Sequence, residues 1–134
     1  MDNKESGNEE MIFAFNDKNQ IVMFKAPEIL YIEEGNKFFI VRTFESSTKC
    51  VFPSFDIFEI MEKLEYFRFV NSGLMANMNQ IRAYDTNNNT LYFNEEIKIN
   101  AVSASIKYIA NNISQANNKA QQTKFLNKIL PFMT

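Results

Sequence analysis

Residues 67–81 read Phe-Arg-Phe-Val-Asn-Ser-Gly-Leu-Met-Ala-Asn-Met-Asn-Gln-Ile, and this stretch decides how the chain is interpreted. Its apolar positions are interrupted by amides, a hydroxyl and a glycine, namely Asn71, Ser72, Gly73, Asn77 and Asn79. Apolar runs that flank such residues are typical of two strands joined by a tight turn. The stretch therefore predicts a strand, a turn and a second strand, with polar groups held at the edge of a sheet.

The sequence before this stretch predicts two hairpins and one further strand. The predicted strands are rich in β-branched and aromatic residues and comprise residues 11–15, 21–25, 28–34, 37–44 and 49–52. Polar residues 16–20 separate the first pair, and Gly35-Asn36 separates the second. Residues of these types favour the turns that close β-hairpins.

Two segments have helical rather than strand periodicity. In residues 54–65, Phe55, Phe58, Met61 and Leu64 recur at every third position, and Ser54 is the predicted N-cap. From Ser103 to about residue 112 a second helix is predicted, with Ser103 as its cap. Its apolar stripe comprises Ile106, Ile109, Ile113, Ala116 and Ala120.

The remaining strands are predicted at residues 66–70, 74–84, 90–93 and 97–100. The fold class is therefore mainly β, with antiparallel sheets, a short mid-chain helix and a C-terminal helix. A chain of 134 residues, 46% of them hydrophobic, is expected to form one domain. We expect a disordered acidic lead at 1–10, the domain at 11–109, and a basic, partly amphipathic extension at 110–134.

The cysteine content and the lack of long apolar segments indicate a protein without disulfides and without a membrane anchor. The single cysteine, Cys50, excludes an intrachain disulfide and is expected to be a buried strand thiol, which suits a reducing cytoplasm. The chain shows neither the apolar run of a membrane helix nor the regions of a signal peptide, so no membrane partner is expected.

Catalysis and cofactor binding are not expected. The chain has no histidine and only three glycines, which leaves no glycine-rich phosphate loop and no histidine base or metal ligand. The adjacent pairs Glu33-Glu34 and Glu95-Glu96 face opposite sides of a strand, so neither forms a carboxylate dyad. The sequence predicts no enzyme, no cofactor and no metal site.

Charge is distributed unevenly. Residues 1–10 carry four acids and one lysine, and residues 11–97 carry twelve acidic and eight basic side chains. Residues 98–134 carry five lysines and no acid. This asymmetry is typical of a protein with a polyanion partner, and a solvated lysine-rich helix explains it equally well.

Residues 28–109 resemble the LytTR DNA-binding domain of bacterial transcription regulators. Residues 28–37, Glu-Ile-Leu-Tyr-Ile-Glu-Glu-Gly-Asn-Lys, are similar to the family's opening strand and loop. Residues 67–81 are similar to the family's "F-x-R-x-H-R-S-Y-x-V-N-x-x-x-I", with Asn77 and Ile81 on its Asn and Ile. Residues 97–105 are similar to its closing segment, with Val102 and Ser103 on "V-S".

The chain departs from the family at positions that contact DNA. Asn71 and Ser72 replace the motif's His and Arg, and Ala104 and Ser105 replace its closing Arg pair. A shift of one residue within 69–73 would instead place Asn71-Ser72 on the motif's Arg-Ser pair. In both registers the arginines that read guanine are missing, which implies weaker or altered binding with a preference for A·T pairs.

The resemblance implies an elongated β sandwich that binds double-stranded DNA through loops near 35–37, 71–73 and 102–107. The implied DNA-binding residues are Asn36, Lys37, Asn71, Ser72, Gly73, Asn77, Ser103, Ser105 and Lys107. No receiver domain is present in the sequence, so we expect a stand-alone regulator or an excised domain, and the starting Met1 and the tail favour the former. A homodimer formed through the C-terminal extension is a further hypothesis. The alternative is a LytTR-fold protein-interaction module that has lost DNA binding. Asn36 and Asn77 also have structural interpretations, as a turn residue and as a buried amide that pairs strand-end backbone groups.

Overall fold

The computed structural model of the chain describes residues 10–53 and 56–115, and within these ranges it contains ten strands and two α-helices. The strands are β1 (Met11–Asn16), β2 (Ile21–Lys25), β3 (Tyr31–Glu34), β4 (Phe39–Arg42), β5 (Ser47–Val51), β6 (Phe67–Asn71), β7 (Leu74–Asn77), β8 (Ala83–Asp85), β9 (Thr90–Tyr92) and β10 (Lys98–Asn100). The helices are α1 (Ile57–Glu62) and α2 (Ser103–Gln115), and short 3₁₀ turns occur at Ala26–Glu28 and Met78–Gln80.

The predicted fold class is confirmed: the described chain is mainly β, with antiparallel sheets, a short mid-chain helix and a helix near the C-terminus. The α2 helix extends to Gln115, beyond the predicted end. The predicted cap Ser54, residues 1–9 of the predicted lead and residues 116–134 of the predicted extension lie outside the described residues.

The strands form a seven-stranded sheet, in the order β2-β1-β5-β4-β3-β7-β6, and a three-stranded sheet in the order β10-β9-β8. The chain divides into two compact units. Among the described residues, the first unit comprises those up to Arg68 together with Gly73–Asn79, and the second comprises Phe69–Ser72 and those from Gln80 onward.

The first unit has a core supplied by alternate strand positions and by α1. Its buried cluster comprises Ile12, Ala14, Phe24, Ala26, Ile29, Ile32, Val41, Cys50, Ile57, Met61, Phe67 and Met75. Three aromatic side chains extend this core, because Phe39 packs edge-on against Phe52 and Phe58 at centroid distances of 5.3 and 5.6 Å. Edge-to-face contacts of this kind stabilise a core beyond the area that they bury.

The predicted strand 74–84 is wrong in one respect, because the chain leaves the extended conformation after Asn77. β7 ends at Asn77, the 3₁₀ turn Met78–Gln80 follows, and β8 begins at Ala83. The side-chain Oδ1 of Asn77 accepts a hydrogen bond from the Asn79 N–H at 2.9 Å. Such a local bond competes with the strand ladder, which is why the strand stops at this residue.

In the second unit, β9 pairs antiparallel with both β8 and β10, and α2 packs against β8. The predicted apolar stripe of α2 is confirmed at Ile106 and Ile109, each 2% exposed. The predicted cap is one residue out of register. The carbonyl of Val102 accepts the N–H groups of Ser105 and Ile106, at 2.9 and 3.2 Å, so Val102 precedes the helix and Ser103 is its first residue.

Across residues 10–53 and 56–115, no helix combines the length and the apolar character needed to cross a membrane.

Cys50 makes the stability of the first unit depend on pH. It is 2% exposed, and burial raises the pKa of its thiol from 9.0 to about 11. The folded state therefore keeps the thiol neutral, whereas the unfolded chain ionises it from about pH 9. The stabilisation is complete below pH 9 and is lost as the pH rises through 11, by about 3 kcal/mol in total for two pKa units.

We expect Cys50→Val to reduce this loss, as measured by urea unfolding at pH 8 and pH 10.5. Burial also raises the pKa of Tyr31 and Tyr66, and both contribute equally in the two proteins, so the difference between the proteins isolates the thiol. Equal losses in wild type and variant would contradict the role given to Cys50.

Candidate functional site

The turn between β3 and β4 presents two of the predicted site residues to solvent. Asn36 and Lys37 are exposed, and the turn is closed by the Gly35 N–H, which donates to the Phe38 carbonyl at 2.7 Å. Lys37, with φ 71°, takes the left-handed conformation. The interpretation of Asn36 as the residue required by the turn geometry is therefore wrong, because the left-handed position is the next residue.

Glycine at position 35 is favoured by a close approach to a neighbouring ring rather than by its dihedral angles. A Cβ atom at Gly35 would lie 2.5 Å from the Phe38 ring. The same ring is covered by the Lys49 Nζ, 4.4 Å from its centroid, in a cation–π contact. Phe38 thus anchors the turn that carries Asn36 and Lys37.

Gly73 lies in a tight turn between β6 and β7, close to an acidic side chain. Its φ of 66° is a conformation that glycine adopts without steric cost. Its carbonyl accepts the Glu34 N–H at 2.8 Å, and a Cβ atom there would lie 3.5 Å from Glu34 Oε1. Gly73 was predicted to contact DNA, but it has no side chain with which to do so. The neighbouring Glu34 carboxylate repels phosphate.

Asn77 is buried, and this corrects its assignment as a DNA-binding residue. The residue is 0% exposed. Its Nδ2 donates to the carbonyls of Pro27 and Ile29 at 3.1 and 3.0 Å, and its Oδ1 accepts the Asn79 N–H. Both ends of the amide are engaged within the first unit. The alternative interpretation, a buried amide that pairs backbone groups at strand ends, fits the structure.

In the second unit, Asn71 and Ser72 lie beside the segment that leads into α2. The Asn71 Oδ1 accepts the Ser72 N–H at 2.9 Å, and its Nδ2 contacts the Asn100 carbonyl at 3.5 Å. The backbone adds a stronger link, since the Val102 N–H donates to the Val70 carbonyl at 2.8 Å. The loops near 71–72 and 102–107, which are 30 residues apart in sequence, are therefore neighbours.

The start of α2 presents polar and basic groups. Ser103 and Lys107 are exposed and Ser105 is half-buried. An α-helix leaves its first N–H groups without intrahelical partners and carries a partial positive charge at that end. We call Asn71, Ser72, Ser103, Ser105 and Lys107 the loop surface.

Two groups that adjoin the loop surface were not predicted from the sequence. Val102 is 47% exposed beside the polar groups, and the Asn100 carbonyl holds the Asn71 side chain. An exposed valine has no distinctive sequence pattern, and a backbone carbonyl has none at all, so neither could be found from the residues alone.

Within the two described ranges, no group of three or more His, Cys, Asp or Glu side chains could hold a metal ion. The amide, hydroxyls and ammonium of the loop surface can offer hydrogen bonds and positive charge to a ligand, which suits an anion or a base edge.

Comparison with known proteins identifies the fold. No family model matches the sequence, and no curated protein does. A solved structure matches, a domain assigned as the LytTr DNA-binding domain of a methyl-accepting/DNA response regulator from Bacillus cereus. The TM-score is 0.59 at 18% sequence identity, over 76% of this chain and 95% of that chain. At this identity the likeness shows the fold, and it confirms the LytTR-like fold that the sequence predicted.

The burial of Asn77 generates a stability prediction. Asn77→Ala would remove three hydrogen bonds of the amide, to the carbonyls of Pro27 and Ile29 and from the Asn79 N–H, of which the bond to Ile29 is fully buried. We expect a loss of about 2–4 kcal/mol in the free energy of unfolding, since each hydrogen bond contributes roughly 1 kcal/mol and an unsatisfied buried carbonyl costs roughly 1–3 kcal/mol. Chemical denaturation provides the measurement. The matched control is Asn36→Ala in the exposed turn, expected to change stability by less than about 0.5 kcal/mol. Similar values for the two variants would show that the Asn77 amide is not a structural link.

Proposed function

We propose that this chain is a DNA-binding domain of a bacterial transcription regulator that acts in the cytoplasm. It binds double-stranded DNA through the loop surface of the second unit. The observation that carries the proposal is the contact between the Asn71-Ser72 turn and the segment before α2, on a fold that the Bacillus cereus LytTr DNA-binding domain shares. Two loops that the resemblance assigns to DNA are thereby presented together.

Phosphate contacts supply most of the affinity in this proposal. The hydroxyls of Ser103 and Ser105 and the first N–H groups of α2 are suited to phosphate oxygens. Lys107 is exposed one turn further along, and Lys98 is exposed on β10. Residues 98–134 contain no acid, so this part of the chain does not repel a polyanion.

In this proposal, Asn71 is the residue that contacts the bases. An asparagine amide can bond bidentately to the N6 and N7 positions of adenine in the major groove. The contact of its Nδ2 with the Asn100 carbonyl, at 3.5 Å, lies at the long limit for a hydrogen bond, so exchanging it for a base edge costs little. Without an arginine at this position, the surface favours A·T over G·C pairs.

The turn of the first unit supplies a further phosphate contact through Lys37. Asn36 and Lys37 are exposed at its tip, and the neighbouring Glu33 and Glu34 on β3 are exposed as well. The carboxylates of Glu33 and Glu34 are close in sequence to the Lys37 ammonium and reduce its attraction for phosphate. Lys37 is therefore the weakest of the proposed phosphate contacts.

Salt dependence tests the proposal directly. Binding of the full chain to a random-sequence duplex, measured by fluorescence anisotropy, should be detectable at low salt. Three or four phosphate contacts should give a log–log slope of roughly −3, because each contact releases about one counterion. An A·T-rich duplex should bind more tightly than a G·C-rich one at the same salt concentration. No binding at low salt would overturn the proposal.

Lys107 allows a matched charge test. Lys107→Glu should weaken binding to every duplex and reduce the magnitude of the salt slope by at least about one. Lys63→Glu is the control, because Lys63 is an exposed lysine that follows α1 in the first unit, outside every proposed contact. If the two variants bind DNA equally well, Lys107 does not belong to the interface.

The second candidate function is a protein-interaction module with this fold. The acidic side chains beside the first-unit turn favour it, since Glu34 lies against Gly73 where the family places a DNA-contacting loop. The salt titration separates the two functions: a folded chain that ignores DNA at low salt supports the interaction module.

A further inference from the structure

Val102 occupies the N-cap of α2, a position at which valine is unfavourable. Its carbonyl accepts the first hydrogen bonds of the helix, from the N–H groups of Ser105 and Ile106. Serine, threonine, asparagine and aspartate are preferred at an N-cap because their side chains accept a bond from a free N–H group, and valine ranks far below them. Ser103, a residue type that suits the cap, lies one position later. The stability of the helix therefore does not explain the valine.

Burial in the core does not explain Val102 either. It is 47% exposed, whereas Ile106 and Ile109, the residues of α2 that pack inward, are each 2% exposed. Single exposed apolar residues are common on protein surfaces and need no explanation by themselves. Val102 differs because exposure coincides with a backbone position that disfavours its side chain. Residues that break a local rule without a structural gain are expected at functional sites.

The backbone holds Val102 in a fixed place beside Asn71. The Val102 N–H donates to the Val70 carbonyl at 2.8 Å, and its own carbonyl is engaged by α2. Val70 directly precedes Asn71, whose Nδ2 contacts the carbonyl of Asn100. A β-branched side chain also has few χ1 rotamers. The exposed methyl groups of Val102 are thus presented at a defined point next to the amide that is assigned to adenine.

We propose that Val102 recognises the C5 methyl group of thymine in the major groove. This inference rests on the proposed function and names a second specificity residue of the same surface. The major-groove edge of an A·T pair carries the hydrogen-bonding N6 and N7 groups of adenine and one apolar group, the thymine methyl. The Asn71 amide matches the adenine groups, and the Val102 side chain matches the methyl group. A G·C pair lacks the methyl group and has the guanine O6 acceptor in place of the adenine N6 donor.

The contact between Val102 and a thymine differs from the phosphate contacts in size and in salt dependence. Burying one methyl-sized group changes a binding constant by about three- to fourfold. The valine carries no charge and releases no counterion, so its contribution to the binding constant should be the same at every salt concentration. A preference for thymine that does not vary with salt is therefore the signature of this contact.

Replacement of thymine by uracil, which lacks the C5 methyl group, tests the proposal. Fluorescence anisotropy of the full chain is measured with two duplexes of one alternating A·T sequence, one of which carries uracil at every thymine position. Wild type should bind the thymine duplex about three- to fourfold more tightly. Val102→Ser should bind the two duplexes equally. Since serine is the better N-cap, this variant should melt at or above the wild-type temperature, which separates lost recognition from lost folding.

Val51→Ser is the matched control, because Val51 is a valine of similar exposure, 44%, on β5 of the first unit and outside every proposed contact. It should keep the wild-type preference for thymine. A preference that persists in Val102→Ser would come from the shape of the duplex or from another residue, and it would overturn the proposal. Equal binding of both duplexes by wild type would overturn it while leaving DNA binding intact. Failure to bind either duplex at low salt would overturn the proposed function as well.

Methylated cytosine gives an independent readout in which affinity is gained rather than lost. A methyl group at C5 of cytosine lies in the major groove and leaves the hydrogen-bonding groups of the G·C pair unchanged. At low salt, wild type should bind a G·C duplex that contains 5-methylcytosine more tightly than the unmodified duplex. Val102→Ser should not distinguish them. A wild type that binds the methylated and unmodified duplexes equally would show that the surface does not recognise the methyl group, and it would overturn the proposal.

Discussion

The buried amide of Asn77 is the interaction on which the arrangement of the first unit depends. Its Nδ2 holds the carbonyls of Pro27 and Ile29, and its backbone N–H donates to the Leu30 carbonyl. These bonds join the end of β7 to the chain that enters β3, the strand that pairs with both β4 and β7. A buried polar group in such a place costs free energy unless every partner is present, so the bonds define one register rather than several.

In the second unit, the side-chain hydrogen bond that holds the Asn71-Ser72 turn is weaker than those of Asn77. The Asn71-Ser72 turn is held by a long contact to the Asn100 carbonyl and a good backbone bond between Val102 and Val70. The backbone therefore fixes the position of the turn, while the Nδ2 end of the Asn71 side chain makes only a long contact and can change partner. A surface of amides, hydroxyls and lysines suits DNA binding in which phosphate contacts give affinity and a single amide gives a modest base preference.

The strand register shows that the apolar residues on the two sides of the first hairpin have different environments. The side that contains Phe24 and Cys50 builds the core, and the side that contains Phe13 and Met23 is exposed. An exposed apolar sheet is an aggregation risk unless it has a defined partner.

The sequence by itself determined the local elements and the fold class. The apolar runs 11–15 and 21–25 around polar residues 16–20 predicted the first hairpin. The three-residue spacing at Phe58 and Met61 predicted α1, and the polar interruption at 71–73 predicted the β6–β7 turn. Only the tertiary structure decided which polar residues face solvent. Asn71 and Asn77 are alike in a linear motif, yet the partners of Asn77 lie 48 and 50 residues away and bury it. Local periodicity follows from bonds along the chain, whereas burial depends on distant segments, and that is why the fold could be predicted and the site could be predicted only in part.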